Sequence, residues 1–123
     1  MSENKDPLTE RIIACCFKVH SELGPGFNER LYQNALKIAL KEAGLRYEIE
    51  KEFIVCFEGK KIGSLRLDLV IDDSIIVEIK ALVGNVPEVF KYQVLSYLKV
   101  SGLHTGLLVN FGNKSCQIKR LVF

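Results

Sequence analysis

Apolar residues recur at steps of three and four over the first third of the chain, which is the spacing of amphipathic helices. The pattern predicts one helix over residues 7–23, with a proline at an early helical position, and a second helix over residues 28–43. The segment Gly24-Pro25-Gly26 separates the two, and Gly44 is placed to end the second. The first third is therefore a predicted helical hairpin.

From residue 47 the apolar period changes to two, which indicates β-strands. We predict strands over residues 47–57, 64–71 and 75–80, with turns at 58–61 and 72–74. Alternation places one large set of apolar side chains of the last two strands on a single face: Leu67, Leu69, Ile71, Ile75, Val77 and Ile79. Because the opposite face is also partly apolar, we expect these to be central strands of an antiparallel meander.

A third helix is predicted to open with Asn85 as its N-cap and Pro87 just inside, and to end at Gly102. Two further strands are predicted over residues 106–111 and 115–123. The resulting order is ααβββαββ, which is typical of an α/β (α+β) fold. No repeat or linker divides the chain, so we expect a single domain over residues 1–123.

The composition is that of an ordinary globular protein, with 48% hydrophobic and 26% charged residues. A net charge of +2 neither supports nor excludes a phosphate-bearing partner. The N-terminal segment carries no targeting signal and no apolar run could span a membrane, so we expect a cytoplasmic protein without a membrane partner. The cysteines lack metal-ligand spacing and are expected to be reduced, buried thiols: Cys15, Cys16, Cys56 and Cys116.

Charged residues interrupt the apolar pattern of the predicted central hairpin. A three-residue turn would place Ile71 opposite Ile75, and counting back three positions on each strand puts Asp68 opposite Glu78. Two facing carboxylates repel each other, so a compensating positive charge is expected between them. Lys80 lies on the same face as Glu78, and a divalent cation bound by oxygen ligands would supply the rest.

Such an arrangement suits the hydrolysis of phosphodiester bonds. The carboxylates of Asp68 and Glu78 and the backbone carbonyl of Ile79 could hold Mg²⁺ or Mn²⁺, which polarises a phosphoryl oxygen and activates a bound water. Lys80 would then orient that water or stabilise the charge that grows on the phosphate. The alternative is a structural ion-pair cluster within the sheet.

The order Leu67-Asp68, nine intervening residues and Glu78-Ile79-Lys80 resembles the signature of the PD-(D/E)XK nuclease superfamily. Leu67 stands in place of the proline, a position that offers no metal ligand. The resemblance implies a restriction-endonuclease-like αβββαβ core, with a central mixed sheet flanked by helices, and magnesium-dependent cleavage of nucleic acid.

A second motif lies at the start of the second predicted helix. Residues 26–32 fit the pattern Gly-x-x-Glu-x-x-Tyr and, with the preceding residues 20–25, resemble the GxxExxY family of that superfamily. By this resemblance Glu29 completes or supports the metal site, and its helical face is shared with Tyr32 and Leu36. The alternative is a carboxylate stabilised by the helix dipole.

Supporting roles are expected for several other side chains. Tyr32 is expected in the core or hydrogen-bonded to a metal ligand, and His20 is either structural at a helix end or bonded to Glu29. Gln93 and Tyr97 resemble the glutamine and tyrosine that follow the Glu-x-Lys strand in the superfamily, where Gln93 would contact the metal-bound water or a phosphate. A weaker prediction is a nucleic-acid-binding rim, against the alternative of scattered solubilising charges: Lys60, Lys61 and Arg66.

The sequence therefore predicts an enzyme, a magnesium- or manganese-dependent nuclease that acts on DNA or RNA. The alternative is a non-catalytic nucleic-acid-binding or assembly module that keeps the nuclease-like fold. A homodimer with two-fold symmetry would allow a small monomer that cuts one strand to act on both.

Overall fold

The computed structural model describes residues 6–123. The expectation that the N-terminal segment carries no targeting signal concerns residues 1–5 and lies outside the described part. The elements are α1 (Pro7–Leu23), α2 (Glu29–Glu42), β1 (Tyr47–Phe57), β2 (Lys60–Ile71), β3 (Ile75–Lys80), α3 (Glu88–Ser101), β4 (Thr105–Asn110) and β5 (Gln117–Val122). This confirms the predicted order ααβββαββ. None of the helices in residues 6–123 is long and apolar enough to cross a membrane.

The ends of the helices follow local chemistry in most places. Asp6 and Asn28 cap α1 and α2, each accepting a hydrogen bond from the backbone N–H three residues on. Gly102 ends α3 in the left-handed conformation, as predicted. The prediction of Asn85 as N-cap of α3 is wrong, because Pro87 occupies the N-cap and the loop before it is hydrogen-bonded to the β4–β5 turn.

The five strands form one mixed sheet in the order β1-β2-β3-β4-β5. The pairs β1–β2, β2–β3 and β4–β5 are antiparallel, whereas β3 and β4 are parallel and are connected through α3. The predicted meander and the central position of β2 and β3 are therefore confirmed. Helices cover both faces of the sheet, which also confirms the predicted architecture.

The β1–β2 hairpin is longer than predicted. Glu58 and Gly59 alone form its turn, with φ angles of 49° and 77°, as a two-residue turn of this kind requires. Lys60 therefore already pairs with Phe57, and the predicted four-residue turn and strand start at residue 64 are wrong. Because β3 pairs only with the last three residues of β2, most of this hairpin extends beyond β3. Cys56 lies on this part and is exposed, contrary to the prediction of a buried thiol.

The core lies on both faces of the central strands. Leu69 packs beneath α1 and α2, while Ile76 packs beneath α3. Leu67 also packs on the α3 side, so the prediction that it shares a face with Leu69 is wrong. The alternation of side chains between the two faces of β2 is interrupted at Asp68. Asp68 lies opposite Glu50 of β1, but the two do not pair in the β1–β2 ladder, and Glu50 has a φ angle of 50°.

Candidate functional site

The central strands separate at the residues that the sequence singles out. Ile71 pairs with Ile75, as predicted, but the β2–β3 ladder ends at Leu69 and Val77, one pair before Asp68 and Glu78. From there β2 continues beside β1 while β3 continues beside β4. The two strands therefore form a fork, and a cleft of about 210 Å³ opens there.

Asp68 bridges the fork through its side chain. Its Oδ2 accepts a hydrogen bond of 2.9 Å from the backbone N–H of Ile79, so the carboxylate takes the place of a ladder bond. Burial raises the pKa of Asp68, against the lowering effects of this hydrogen bond and of Lys80. The carboxylate is thus oriented by β3 but held where its ionised form is poorly solvated.

The side chain of Glu78 is more deeply buried than that of Asp68. It is almost fully buried in β3, whose neighbouring residues are apolar because the strand is covered on both faces. Its Oε2 lies 3.5 Å from Nζ of Lys80, whereas Oε1 has no hydrogen-bond partner among the described residues. Burial, followed by the charge of Asp68, raises the pKa of Glu78 to about 7. When both are ionised, the carboxylates of Asp68 and Glu78 therefore carry more negative charge than the single ammonium of Lys80 neutralises.

The ammonium of Lys80 is held from two sides. Its Nζ contacts Glu78 and lies 4.0 Å from the ring centroid of Phe90 on α3. An ammonium over an aromatic face is attracted by the ring quadrupole, and the effect grows when water is excluded. The side chain is accordingly restricted to the neighbourhood of the two carboxylates.

Tyr97 on α3 closes the apolar side of this cluster. It is buried with Leu67 and Ile76, and its pKa is raised to about 12 by burial and then by the charges of Glu78 and Asp68. Tyr97 therefore lies in the core beneath α3, where the charges of both carboxylates still affect its hydroxyl. Its neighbour one turn earlier, Gln93, is exposed on α3 and is not among the residues that line the cleft.

Glu29 lines the mouth of the same cleft from the first turn of α2. It is exposed, whereas Tyr32 and Leu36 are fully buried, so the expected inward face of α2 does not include it. Gln33, one helical turn after Glu29, is buried and donates a hydrogen bond of 3.1 Å to the backbone carbonyl of Asp68. Gln33 was not predicted as a site residue, although its i, i+4 spacing from Glu29 was a usable signal.

Tyr32 and His20 lie in the core and not at the carboxylates. The Tyr32 hydroxyl donates to the carbonyl of Gly24 at 2.5 Å and accepts from the backbone N–H of Phe27, so it fixes the loop before α2. Its ring stacks on Phe111, as does that of His20. His20 Nε2 forms a hydrogen bond with the carbonyl of a residue in the β4–β5 turn, so His20 has the predicted structural role and the alternative of a bond to Glu29 is wrong.

The predicted basic rim is divided between two places. Lys60 and Lys61 lie at the exposed tip of the β1–β2 hairpin, whereas Arg66 lines the cleft beside Asp68. Arg30 and Glu50, which were not predicted as site residues, also line this cleft. Nothing in the local sequence pattern marks them, because they come from α2 and β1.

The donor chemistry of the fork fits a divalent cation that prefers oxygen. Within residues 6–123 no three His, Cys, Asp or Glu side chains converge closely enough to form a metal site by themselves. The predicted three-carboxylate set is therefore not assembled, because Glu29 lies at the exposed mouth. The remaining donors are the carboxylates of Asp68 and Glu78 and the carbonyl of Ile79, and the unpartnered Oε1 of Glu78 is an acceptor that a cation could occupy.

Comparisons with known proteins agree with this architecture. The family model described as the PD-(D/E)XK nuclease superfamily matches residues 6–121. A solved structure, "Crystal structure of SSO0001", is 24% identical with a TM-score of 0.61, and the similarity covers 76% of this chain and 48% of that one. The chain thus spans about half the length of that protein, and the likeness concerns the fold. No protein in the search of curated proteins matches. Since the family match extends over nearly all of the described residues, the chain belongs to the PD-(D/E)XK nuclease superfamily.

Proposed function

We propose that this protein is a divalent-metal-dependent nuclease that hydrolyses phosphodiester bonds of DNA or RNA. The observation that carries the proposal is the buried Glu78 carboxylate, which has one unpartnered oxygen beside Asp68 and a single neighbouring ammonium. A purely structural cluster would gain little from two buried carboxylates and one cation, because desolvation outweighs the attraction. The same arrangement suits a site that takes up a further positive charge.

Mg²⁺ or Mn²⁺ is the cofactor that fits these donors. Asp68, Glu78 and the carbonyl of Ile79 would hold it, with Glu29 able to contribute from the cleft mouth. When bound, such an ion polarises a phosphoryl oxygen and lowers the pKa of its water. The hydrogen bond from the Ile79 N–H orients Asp68 beforehand, which reduces the cost of organising the site.

Lys80 is the residue that we assign to charge stabilisation. Its ammonium is restrained by Glu78 and Phe90, so it needs little rearrangement when negative charge develops on a phosphate. Gln33 positions the backbone of Asp68, and Tyr97 shields the apolar side of the cluster. Gln93, on the exposed side of α3, is assigned to contact with the substrate.

We further infer that the chain is of the GxxExxY type and works as one domain. The motif has a physical role in this fold, since the Tyr32 hydroxyl ties the Gly24–Phe27 loop to α2 and thereby fixes the helix turn that carries Glu29. The proposed homodimer would bring two forks to the two strands of a duplex.

A second candidate is a non-catalytic module that binds nucleic acid or assembles with other proteins. It is favoured by one observation, namely that three metal-ligating side chains do not converge within the described part of the chain. Metal affinity and cleavage distinguish the two candidates.

The deciding experiment is thermal melting of the wild type and Asp68→Asn in EDTA, Mg²⁺ and Mn²⁺, followed by cleavage assays on single- and double-stranded DNA and RNA. We expect the metals to raise the melting temperature of the wild type, because an ion that binds the folded state stabilises it against unfolding. They should have no effect on Asp68→Asn, which lacks one of the proposed metal ligands. Asp72→Asn, in the exposed β2–β3 turn, is the matched control and should respond as the wild type. Nucleic-acid binding without a metal response or cleavage would support the non-catalytic module.

A further inference from the structure

Two arginines and a glutamate form a charged group at the mouth of the cleft. Arg30 on α2 and Arg66 on β2 approach different oxygens of the Glu50 carboxylate, at 3.6 and 3.9 Å respectively. All three residues line the cleft together with Asp68. Elements that are distant in sequence therefore bring two guanidinium groups to one anion beside the candidate site.

These ion pairs are loose. Both distances exceed the range of a good N–H···O hydrogen bond, and the arginine side chains are 65% and 68% exposed. Exposed pairs of this kind contribute little to stability, so a competing anion can displace the carboxylate at small cost. Nε of Arg66 also lies 3.9 Å from Oε2 of the exposed Glu52, in an equally loose pair. The other guanidinium donors of Arg30 and Arg66 remain available to a ligand.

The backbone at Glu50 is unusual as well. Its φ of 50° lies in the left-handed region, which is costly for a residue other than glycine and is found where the surrounding structure imposes it. Glu50 is also the position on β1 that is missing from the ladder opposite Asp68. The irregularity therefore lies directly across from a residue of the candidate site.

We propose that Arg30 and Arg66 form a phosphate-binding pair for the nucleic-acid backbone next to the bond that is cut, and that Glu50 occupies this pair until a phosphate replaces it. A guanidinium presents paired N–H groups that match the oxygens of a phosphate, and a phosphodiester carries the same single charge as the carboxylate it displaces. The inference deepens the proposed function and rests on it for the identity of the substrate.

The first test measures binding of a labelled oligonucleotide, as DNA and as RNA, in Ca²⁺ over a series of salt concentrations. Arg30→Ala and Arg66→Ala should each weaken binding about fivefold or more and reduce the salt slope by about one. Glu50→Gln should strengthen binding severalfold because it removes the anion that both arginines share, although Glu52 still pairs with Arg66. Arg46→Ala is the matched control, since Arg46 is also exposed and paired with a carboxylate, Asp72 at 3.4 Å, but does not line the cleft.

The second test separates this proposal from the nuclease itself. Inorganic phosphate, added with Mg²⁺, should raise the melting temperature of the wild type and Arg46→Ala, but not of the double variant Arg30→Ala/Arg66→Ala. That result supports the pair even if no nucleic acid is cut. The proposal would be overturned if the wild type and the double variant had the same oligonucleotide affinity and the same phosphate response, or if neither protein showed either. Such a result would leave the metal response that depends on Asp68 unaffected.

Discussion

Two charge clusters lie near Asp68, and they differ in burial far more than in the distance between their charged atoms. Arg30 and Glu50 line the cleft, whereas Glu78 and Lys80 do not. The Lys80–Glu78 pair, at 3.5 Å, has side chains that are 12% and 7% exposed, whereas the Arg30–Glu50 pair, at 3.6 Å, is 65% and 39% exposed. In the first, burial raises the pKa of Glu78 to about 7 despite the neighbouring ammonium. In the second, water solvates both partners. The surroundings, and not the separation, decide what each pair contributes.

The largest effect is expected on the cleavage rate when the buried cluster loses the ammonium of Lys80. Lys80→Met keeps the length of the side chain but removes the ammonium, so we expect the cleavage rate to fall by a factor on the order of 10² to 10³. Initial rates at fixed Mg²⁺ measure this. Lys91→Met is the control, because Lys91 forms an exposed ion pair with Glu88 on the same helix as Phe90. A rate close to that of the wild type would exclude Lys80 from the chemistry.

The same cluster should be more stable without one of its carboxylates. In EDTA at pH 8, Glu78→Gln should raise the free energy of unfolding by about 2 kcal/mol, since it removes a charge that burial disfavours and leaves Asp68 beside Lys80. Urea denaturation measures the change. Glu42→Gln is the control, because Glu42 pairs with Lys18 at the same 3.5 Å but in solvent. Destabilisation by Glu78→Gln would mean that the ionised pair holds the fold together.

The pH dependence of stability follows with a definite sign. The pKa of Glu78 is raised in the folded protein to about 7 from 4.5, so between these values the folded state binds more protons than the unfolded state. Stability in EDTA should therefore increase as the pH falls from about 8 to 5. Thermal melting across this range tests it, and Glu78→Gln should show a flatter profile. A wild-type stability that decreases over the same interval would contradict the raised pKa.

The exposed cluster should show the smallest effect on folding. Glu50→Gln should change the free energy of unfolding by no more than about 1 kcal/mol, because both arginines remain solvated. Urea denaturation at low and high salt measures this. A larger loss would show that the Glu50 pairs are structural, and the contrast between the two clusters would no longer hold.

Much of the secondary structure was predictable because its causes are local. The caps Asp6 and Asn28 and the left-handed Gly102 determine helix ends within a few residues of themselves. The incorrect positions have non-local causes. Asn85 is not a cap because its loop is bonded to another turn, and Leu67 changes face because the ladder is interrupted at Asp68.

The sequence by itself determined which ionisable side chains lie on the central strands. The alternating strands, the three-residue turn and the positions of Asp68, Glu78 and Lys80 are sufficient to predict two carboxylates and an ammonium on neighbouring strands. Side chains alternate between the two faces of a strand with a period of two residues, so the face of each residue can be inferred from the sequence of that strand alone.

Only the tertiary structure decided how those residues are surrounded. Because β3 pairs with β4 while β2 stays with β1, the strands separate before Asp68 and Glu78 can pair, and the cleft opens there. Helix α2 then brings Gln33 to the backbone of Asp68, and Phe90 of α3 covers Lys80. Burial and the partners of a charge depend on chain segments far apart in sequence, and these set the pKa of Glu78.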